Sequence, residues 1–273
     1  MTDPRTILRQ AGLSPKKSFG QNFLVAPHAT EAIARACVPD DEVGRATVVE
    51  IGAGTGALTA ELAHRARLVV AIERDRDLVP LLTRAFADQP NVRVVEADAV
   101  TAPLGELLGD EPPRVLCGNL PYQLTGRLLA LATEHVARLE RAVFMVQAEV
   151  GERILAAPGT KEYGALSVFV TAAFDARRVL RVSRGCFYPS PDVESCVLEL
   201  SPRSARIEET ERFRKVVKAA FAQRRKTLRN AWRALGTMEE LENAALAAGT
   251  TLDARGEILS ADQFAKAAAT LPL

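Results

Sequence analysis

Between Thr47 and Leu200 the chain alternates short, almost wholly apolar runs with stretches of helical periodicity, and this alternation restricts the fold more than any other feature. Seven runs read as strands, at residues 47–51, 68–73, 92–96, 115–119, 142–147, 167–174 and 195–200. Several are continuously apolar, the pattern of strands covered on both faces, and strands separated by helices pair in parallel through crossovers. The expected fold is therefore α/β, with a mostly parallel sheet. Helices are expected over residues 27–37 and 57–66 and from about Asp77, after a short amphipathic segment and a basic loop from Pro15 to Gly20. Past Pro202 the pattern changes to Ala-, Leu- and Arg-rich helical periods punctuated by Gly236, Gly249 and Gly256. A first domain over 1–202 and a small all-helical domain over 203–273 are expected.

With 48% hydrophobic and 25% charged residues, the chain has enough apolar content for a full core, which excludes disordered and fibrous classes. Cys37, Cys117, Cys186 and Cys196 form no CxxC pair, and His28, His64 and His135 lie at no ligand spacing from them, so no metal site is expected. Cys117 and Cys196 stand inside apolar runs, where a buried thiol acts as a small hydrophobe in a reducing compartment. The N-terminus has early charges and no apolar signal core, and no membrane-spanning run occurs, so a cytoplasmic location without a membrane partner is expected.

Gly52, Gly54 and Gly56 stand between the first strand and the first helix, preceded by Glu50. Glycine there permits close approach of the backbone to a ligand beyond the carboxyl ends of the strands. The spacing is G-x-G-x-G, unlike the G-x-G-x-x-G of dinucleotide folds, which argues against a nicotinamide dehydrogenase. Glu73 ends the second strand about 20 residues on, where a carboxylate suits a ribose diol. Asp98 follows the third strand, placed to accept from an exocyclic amine. A glycine turn alone can be structural, and an acid at a strand end can be a solvated cap. Three such features in register at successive strand ends point to a nucleoside ligand.

Asn119-Leu120-Pro121-Tyr122 ends the fourth strand with an amide oxygen, a rigid turn and a flat apolar face, parts that suit a base bearing an exocyclic amine. The alternative is an ordinary Asn-Leu-Pro turn with a core tyrosine. Together with Gln21-Asn22-Phe23-Leu24 after the basic loop, and Phe187-Tyr188-Pro189-Ser190-Pro191-Asp192-Val193, these motifs give the chain from Lys16 onward a resemblance to the ribosomal RNA adenine dimethyltransferase family, nearest its bacterial small-subunit branch. The resemblance implies a seven-stranded Rossmann-like methyltransferase domain using S-adenosyl-L-methionine. It implies transfer of methyl groups to N6 of two adjacent adenosines near the 3′ end of 16S rRNA, within an immature small ribosomal subunit, by a monomer. Residue by residue, it assigns Asn22, Leu24, Gly52, Gly54, Glu73, Asp98 and Asn119 to the cofactor. Asn119, Leu120, Pro121, Tyr122 and Phe187 go to the target adenine, with Tyr122 and Phe187 stacking it. A 23S rRNA target, as in the antibiotic-resistance branch, and an assembly factor acting mainly by binding are the alternatives.

The net charge of +1 conceals a local excess: nine cations and no acid stand between Arg212 and Arg233. On one expected helix from about 211 to 235, Arg214, Lys218, Arg225 and Arg229 fall near one face. Most charged helix faces are merely solvated, but this density favours phosphate contact, and Arg224, Arg225, Lys226 and Arg229 are the expected RNA-binding residues. Lys16, Lys17, Arg178, Arg181 and Arg184 are candidates to extend the track.

Overall fold

The computed structural model describes residues 3–223 and 225–272. The chain forms two compact units, the first comprising the chain up to Gly151 with Ala176–Pro202, the second Glu152–Asp175 with the chain from Arg203 onward. The elements begin with α1 (Pro4–Gln10), β1 (Phe23–Leu24), α2 (Pro27–Cys37), β2 (Thr47–Ile51), α3 (Ala57–Ala63), β3 (Leu68–Glu73), α4 (Val79–Ala85) and β4 (Val92–Glu96). They continue with α5 (Leu104–Leu108), β5 (Arg114–Asn119), α6 (Thr125–Glu134), β6 (Arg141–Gln147), α7 (Ala148–Leu155), α8 (Ala165–Ala173), β7 (Phe174–Val182), β8 (Phe187–Tyr188) and β9 (Ser195–Pro202). Helices α9 (Glu211–Ala222), α10 (Leu228–Ala231), α11 (Met238–Ala247) and α12 (Ala261–Thr270) follow. Among the described residues no helix is long and apolar enough to cross a membrane.

The main sheet has the order β4-β3-β2-β5-β6-β9-β7. From β4 to β6 every pairing is parallel, and β9 joins β6 antiparallel. Its apolar strands pack with α2 and α3 in a core that includes Ile33, Val48, Leu62, Val69, Val115 and Val143. The chain leaves β2 in one direction, through β3 and β4, and returns to its other side at β5. This reversal opens a crevice beyond the carboxyl ends of β2 and β5.

Six of the seven expected runs are strands of this sheet; residues 167–174 are not. A short apolar run suits a buried helix as well as a buried strand. Here Ser167 Oγ accepts from the Gly164 amide at 3.0 Å, capping the start of α8. The remaining strand is β7, whose arginines disguised it; it lies at the edge of the sheet, where charged side chains are solvated. The same region corrects the expected domain division. Residues 152–175 belong with the helical unit, where the Tyr163 hydroxyl donates to the Leu259 carbonyl at 2.8 Å and Phe169 meets Phe213 edge-on. Only the change at Pro202 coincides with the expected boundary.

The second unit is organised around Trp232, fully buried, whose indole N–H donates to the Val216 carbonyl at 3.1 Å. Phe213, Leu228, Leu241, Leu259 and Phe264 complete its core. The expected helix over 211–235 is broken: α9 ends at Ala222, and α10 is a separate turn. The cause is pairing with a later segment, since Thr227 bridges Arg255 and the amides of Leu228 and Arg229 donate to Ala254 and Leu252 at 2.8 Å, replacing bonds to the preceding turn.

Two residues next to the crevice reveal its tolerances. Gly118 sits opposite Ile51, and a Cβ there would overlap the Ile51 carbonyl oxygen. Gly118→Ala must force β2 and β5 apart, and a loss of about 1–3 kcal/mol is expected, read as a lower urea midpoint in far-UV circular dichroism. Glu50, 2% exposed, accepts from Thr59 Oγ1 at 2.6 Å. Burial raises its pKa from 4.5 to about 7 despite that bond, with the Glu73 charge adding to the rise. The folded protein thus keeps a proton that the unfolded chain gives up near 4.5, so this residue erodes stability as pH climbs to about 7. Glu50→Gln should melt increasingly above the wild type between about pH 5 and pH 8, by up to the order of 3 kcal/mol. A pH-independent difference between the melting curves would contradict that assignment.

Candidate active site

The crevice widens into a cleft lined by the glycine turn, the ends of β3 and β5, and the arm from Phe19 to Leu24. Gly52 and Gly54 hold φ of +72° and +60°, and a side chain on Gly54 would press on the Phe23 ring. The turn is tied to β3 by Glu73: Oε2 accepts the Gly54 amide and Oε1 the Asp75 amide, both at 2.8 Å. Burial lifts the Glu73 pKa while these amide bonds oppose it, and the net direction is upward. The Arg74 amide acts on the same carboxylate, which can accept about four hydrogen bonds and so keeps room for a hydroxyl partner. Asp98, at the cleft wall, accepts the Val100 amide at 2.9 Å and pairs with Arg74 at 3.3 Å.

At the end of β5, Asn119 Nδ2 donates to the Asn22 carbonyl at 2.9 Å, which orients the amide, and among the described residues no hydrogen bond reaches its oxygen. The Leu120 amide donates to Met145, and among the described residues no hydrogen bond reaches the Leu120 carbonyl. The Tyr122 hydroxyl lies 3.2 Å from Ser195 Oγ, and partial burial raises its pKa. Asn22, Leu24, Gly52, Gly54, Glu73, Asp98, Asn119, Leu120, Pro121 and Tyr122 therefore all converge on one cleft. Its carboxylates, unused acceptors and apolar wall of Phe23, Leu24, Ile33 and Leu58 fit a nucleoside carrying a partly apolar arm.

Phe187 is not among the cleft residues. It is 3% exposed and packs in the core of the first unit. The reason is the two-residue ladder between β1 and β8, with Leu24 opposite Phe187 and Phe23 opposite Tyr188. Successive side chains of a strand point to opposite faces, so Phe187 goes inward and Tyr188 outward. The Phe187 ring thus packs in that core and does not line the cleft.

The arm is held by contacts that sequence reasoning overlooked. Lys16 Nζ meets Asp75 Oδ1 at 2.5 Å and Asp77 Oδ2 at 2.6 Å, and Gln21 Nε2 donates to Asp75 Oδ2 at 2.7 Å. Burial works to raise the Asp75 pKa, but the bonds from Lys16 and Gln21 prevail and lower it. The Arg74 guanidinium lies 4.6 Å from the centre of the Phe19 ring. The signal was present as Lys16-Lys17 in one segment and Asp75-Arg76-Asp77 in another, although nothing local pairs them. Lys16 is thereby engaged within the protein and is withdrawn from the expected RNA track.

In the second unit, Arg225 and Lys226 are exposed in the connection between α9 and α10 and make no ion pair among the described residues. Arg229 is occupied by Asp253 at 3.4 Å, and Arg214 by Glu209 at 2.7 Å, so the expected single cationic helix face is not formed. Arg224 lies outside the described residues.

The sequence signature of the family described as ribosomal RNA adenine dimethylase matches residues 12–271. The chain is 45% identical to the Ribosomal RNA small subunit methyltransferase A of Moorella thermoacetica, over 97% of this chain and 95% of that protein. It is 44% identical to the protein of the same name from Myxococcus xanthus, over 97% and 94% respectively. A solved dimethyladenosine transferase from Plasmodium falciparum has a similar fold, with a TM-score of 0.74 at 24% identity, over 90% of this chain and 95% of that one. The 23S rRNA methyltransferase ErmE is similar at a TM-score of 0.68 and 27% identity, over 92% and 100%. With its signature spanning residues 12–271, its 45% identity to a small-subunit methyltransferase A and its cleft at the sheet's switch point, the chain belongs to the ribosomal RNA adenine dimethylase family.

Proposed function

We propose that this chain transfers methyl groups from S-adenosyl-L-methionine to N6 of two adjacent adenosines near the 3′ end of 16S rRNA. The observation that carries the reading is the pair of unused acceptors, Asn119 Oδ1 and the Leu120 carbonyl, next to the glycine turn and Glu73. The greater identity to proteins named as small-subunit methyltransferases, 45% against 27% for the large-subunit enzyme ErmE, supports 16S over 23S rRNA. An intact acceptor pair supports an enzyme over a factor that only binds. The reading carries with it an immature small subunit as partner, a cytoplasmic location and a single working copy.

The cofactor, when bound, supplies an electrophilic methyl group; Asn22, Leu24, Gly52, Gly54, Glu73 and Asp98 are the residues that would hold it. Adenine N6 is a poor nucleophile because its lone pair is delocalised into the ring. Asn119 Oδ1 and the Leu120 carbonyl, each accepting one N6 hydrogen, free that lone pair and aim it, while Pro121 fixes the turn. Once alkylated, N6 is acidic enough to release its proton to water, so the chain needs no strong general base. Tyr122 offers an aromatic face to the displaced base, which offsets part of its unstacking.

The test supplies methyl-labelled cofactor with undermethylated 16S or 23S RNA and maps the labelled base. Label on N6 of adjacent 16S adenosines is expected, and label confined to 23S RNA would refute the proposal. In the same assay Asn119→Ala should leave RNA affinity nearly intact and slow single-turnover transfer by about a hundredfold or more. We also propose that Arg225 and Lys226 contact phosphates. Replacing both with Gln should make log affinity against log salt shallower by about one unit or more without changing cofactor affinity by calorimetry; an unchanged slope would leave them a solvated surface.

A further inference from the structure

The ladder that turns Phe187 into the core turns Tyr188 out of it. Tyr188 is 37% exposed, and its backbone is fixed opposite Phe23, itself a residue of the cleft wall. The Arg5 guanidinium lies 5.8 Å from the centre of its ring. Among the described residues the Tyr188 hydroxyl has no hydrogen-bond partner. An exposed ring with a cation across it and no polar commitment is a stacking surface.

The chain leading to it is cationic. From Ala176 to Phe187 there are four arginines and no acid. Arg177 is taken by Glu199, at 2.5 Å. Arg178, Arg181 and Arg184 are exposed and, among the described residues, make no ion pair. The Ser190 hydroxyl donates to the Arg184 carbonyl at 2.9 Å, drawing that arginine's segment back beside Tyr188 and Pro189. Arg178 and Arg181, three apart on β7, project from opposite faces of the sheet, so Arg184, past the strand's end, is the cation of this segment that accompanies Tyr188.

We infer that Tyr188, with Arg5 and Arg184, forms a shelf for single-stranded RNA flanking the base to be modified: one flanking base stacks on Tyr188, and the arginines neutralise neighbouring phosphates. Unpaired arginines beside an aromatic face match a polyanion that also carries flat rings. The inference rests on the rRNA reading for the identity of the RNA. It assigns Tyr188 a positioning role outside the cofactor cleft.

The experiment measures binding of a labelled single-stranded RNA and of undermethylated small-subunit RNA, with cofactor affinity by calorimetry as the test of folding. Tyr188→Ala should weaken RNA binding about tenfold or more and leave cofactor affinity unchanged, whereas Tyr188→Phe, which keeps the ring, should bind like wild type. Replacing Arg5 and Arg184 together with Gln should make the salt slope shallower by about one unit or more. Undiminished RNA affinity in Tyr188→Ala, failure of Tyr188→Phe to bind, or a full salt slope in the double arginine variant overturns the shelf. A wild-type protein that binds RNA in this pattern yet methylates no 16S adenosine would overturn the functional reading instead, because the binding results decide the shelf by themselves.

Discussion

The carboxylate of Glu73 holds the site together by serving two masters on the protein side. It accepts the amides of Gly54 and Asp75, fixing the glycine turn to the end of β3 in an interior where an unpartnered charge would be costly. The turn then keeps its positive φ angles, Asp75 is presented to Lys16 and Gln21, and the arm they anchor brings the Asn22 carbonyl to Asn119. One buried acid thus connects the turn, the arm and the amide expected to face the substrate.

That dependence explains which parts of the molecule were legible. Residues whose placement follows from a position along one strand were readable: Gly52 and Gly54 after β2, Glu73 on β3, Asp98 past β4 and Asn119 on β5 all reach the cleft. Residues whose role comes from pairing across long separations were not. Lys16 meets Asp75 across 59 positions, and the bridge between Thr227 and Arg255 breaks what periodicity had made a single helix. The helix at Ala165–Ala173 and the arginine-rich β7 show the same limit, because a short run's state was set by its neighbours and its place in the sheet. Phe187 and Tyr188 differ only in which face of a two-residue ladder they occupy, and sequence reading has no handle on that parity.

The two units divide chemistry and charge unevenly. The first contains the cleft and the exposed arginines of β7. The second contributes Arg225 and Lys226 in the connection between α9 and α10, while several of its other cations are paired with nearby carboxylates. Intramolecular pairing lowers the number of charges available to a polyanion below what composition suggests.

Trp232 is the chain's single tryptophan, and it lies at the centre of the second unit with its indole nitrogen bonded to Val216. Its emission is therefore a built-in local thermometer of the helical unit, silent about the sheet that carries the cleft. An unfolding curve followed by that light and one followed by backbone ellipticity sample different bodies of structure. Their coincidence or separation becomes a direct gauge of whether the two units melt as one cooperative system.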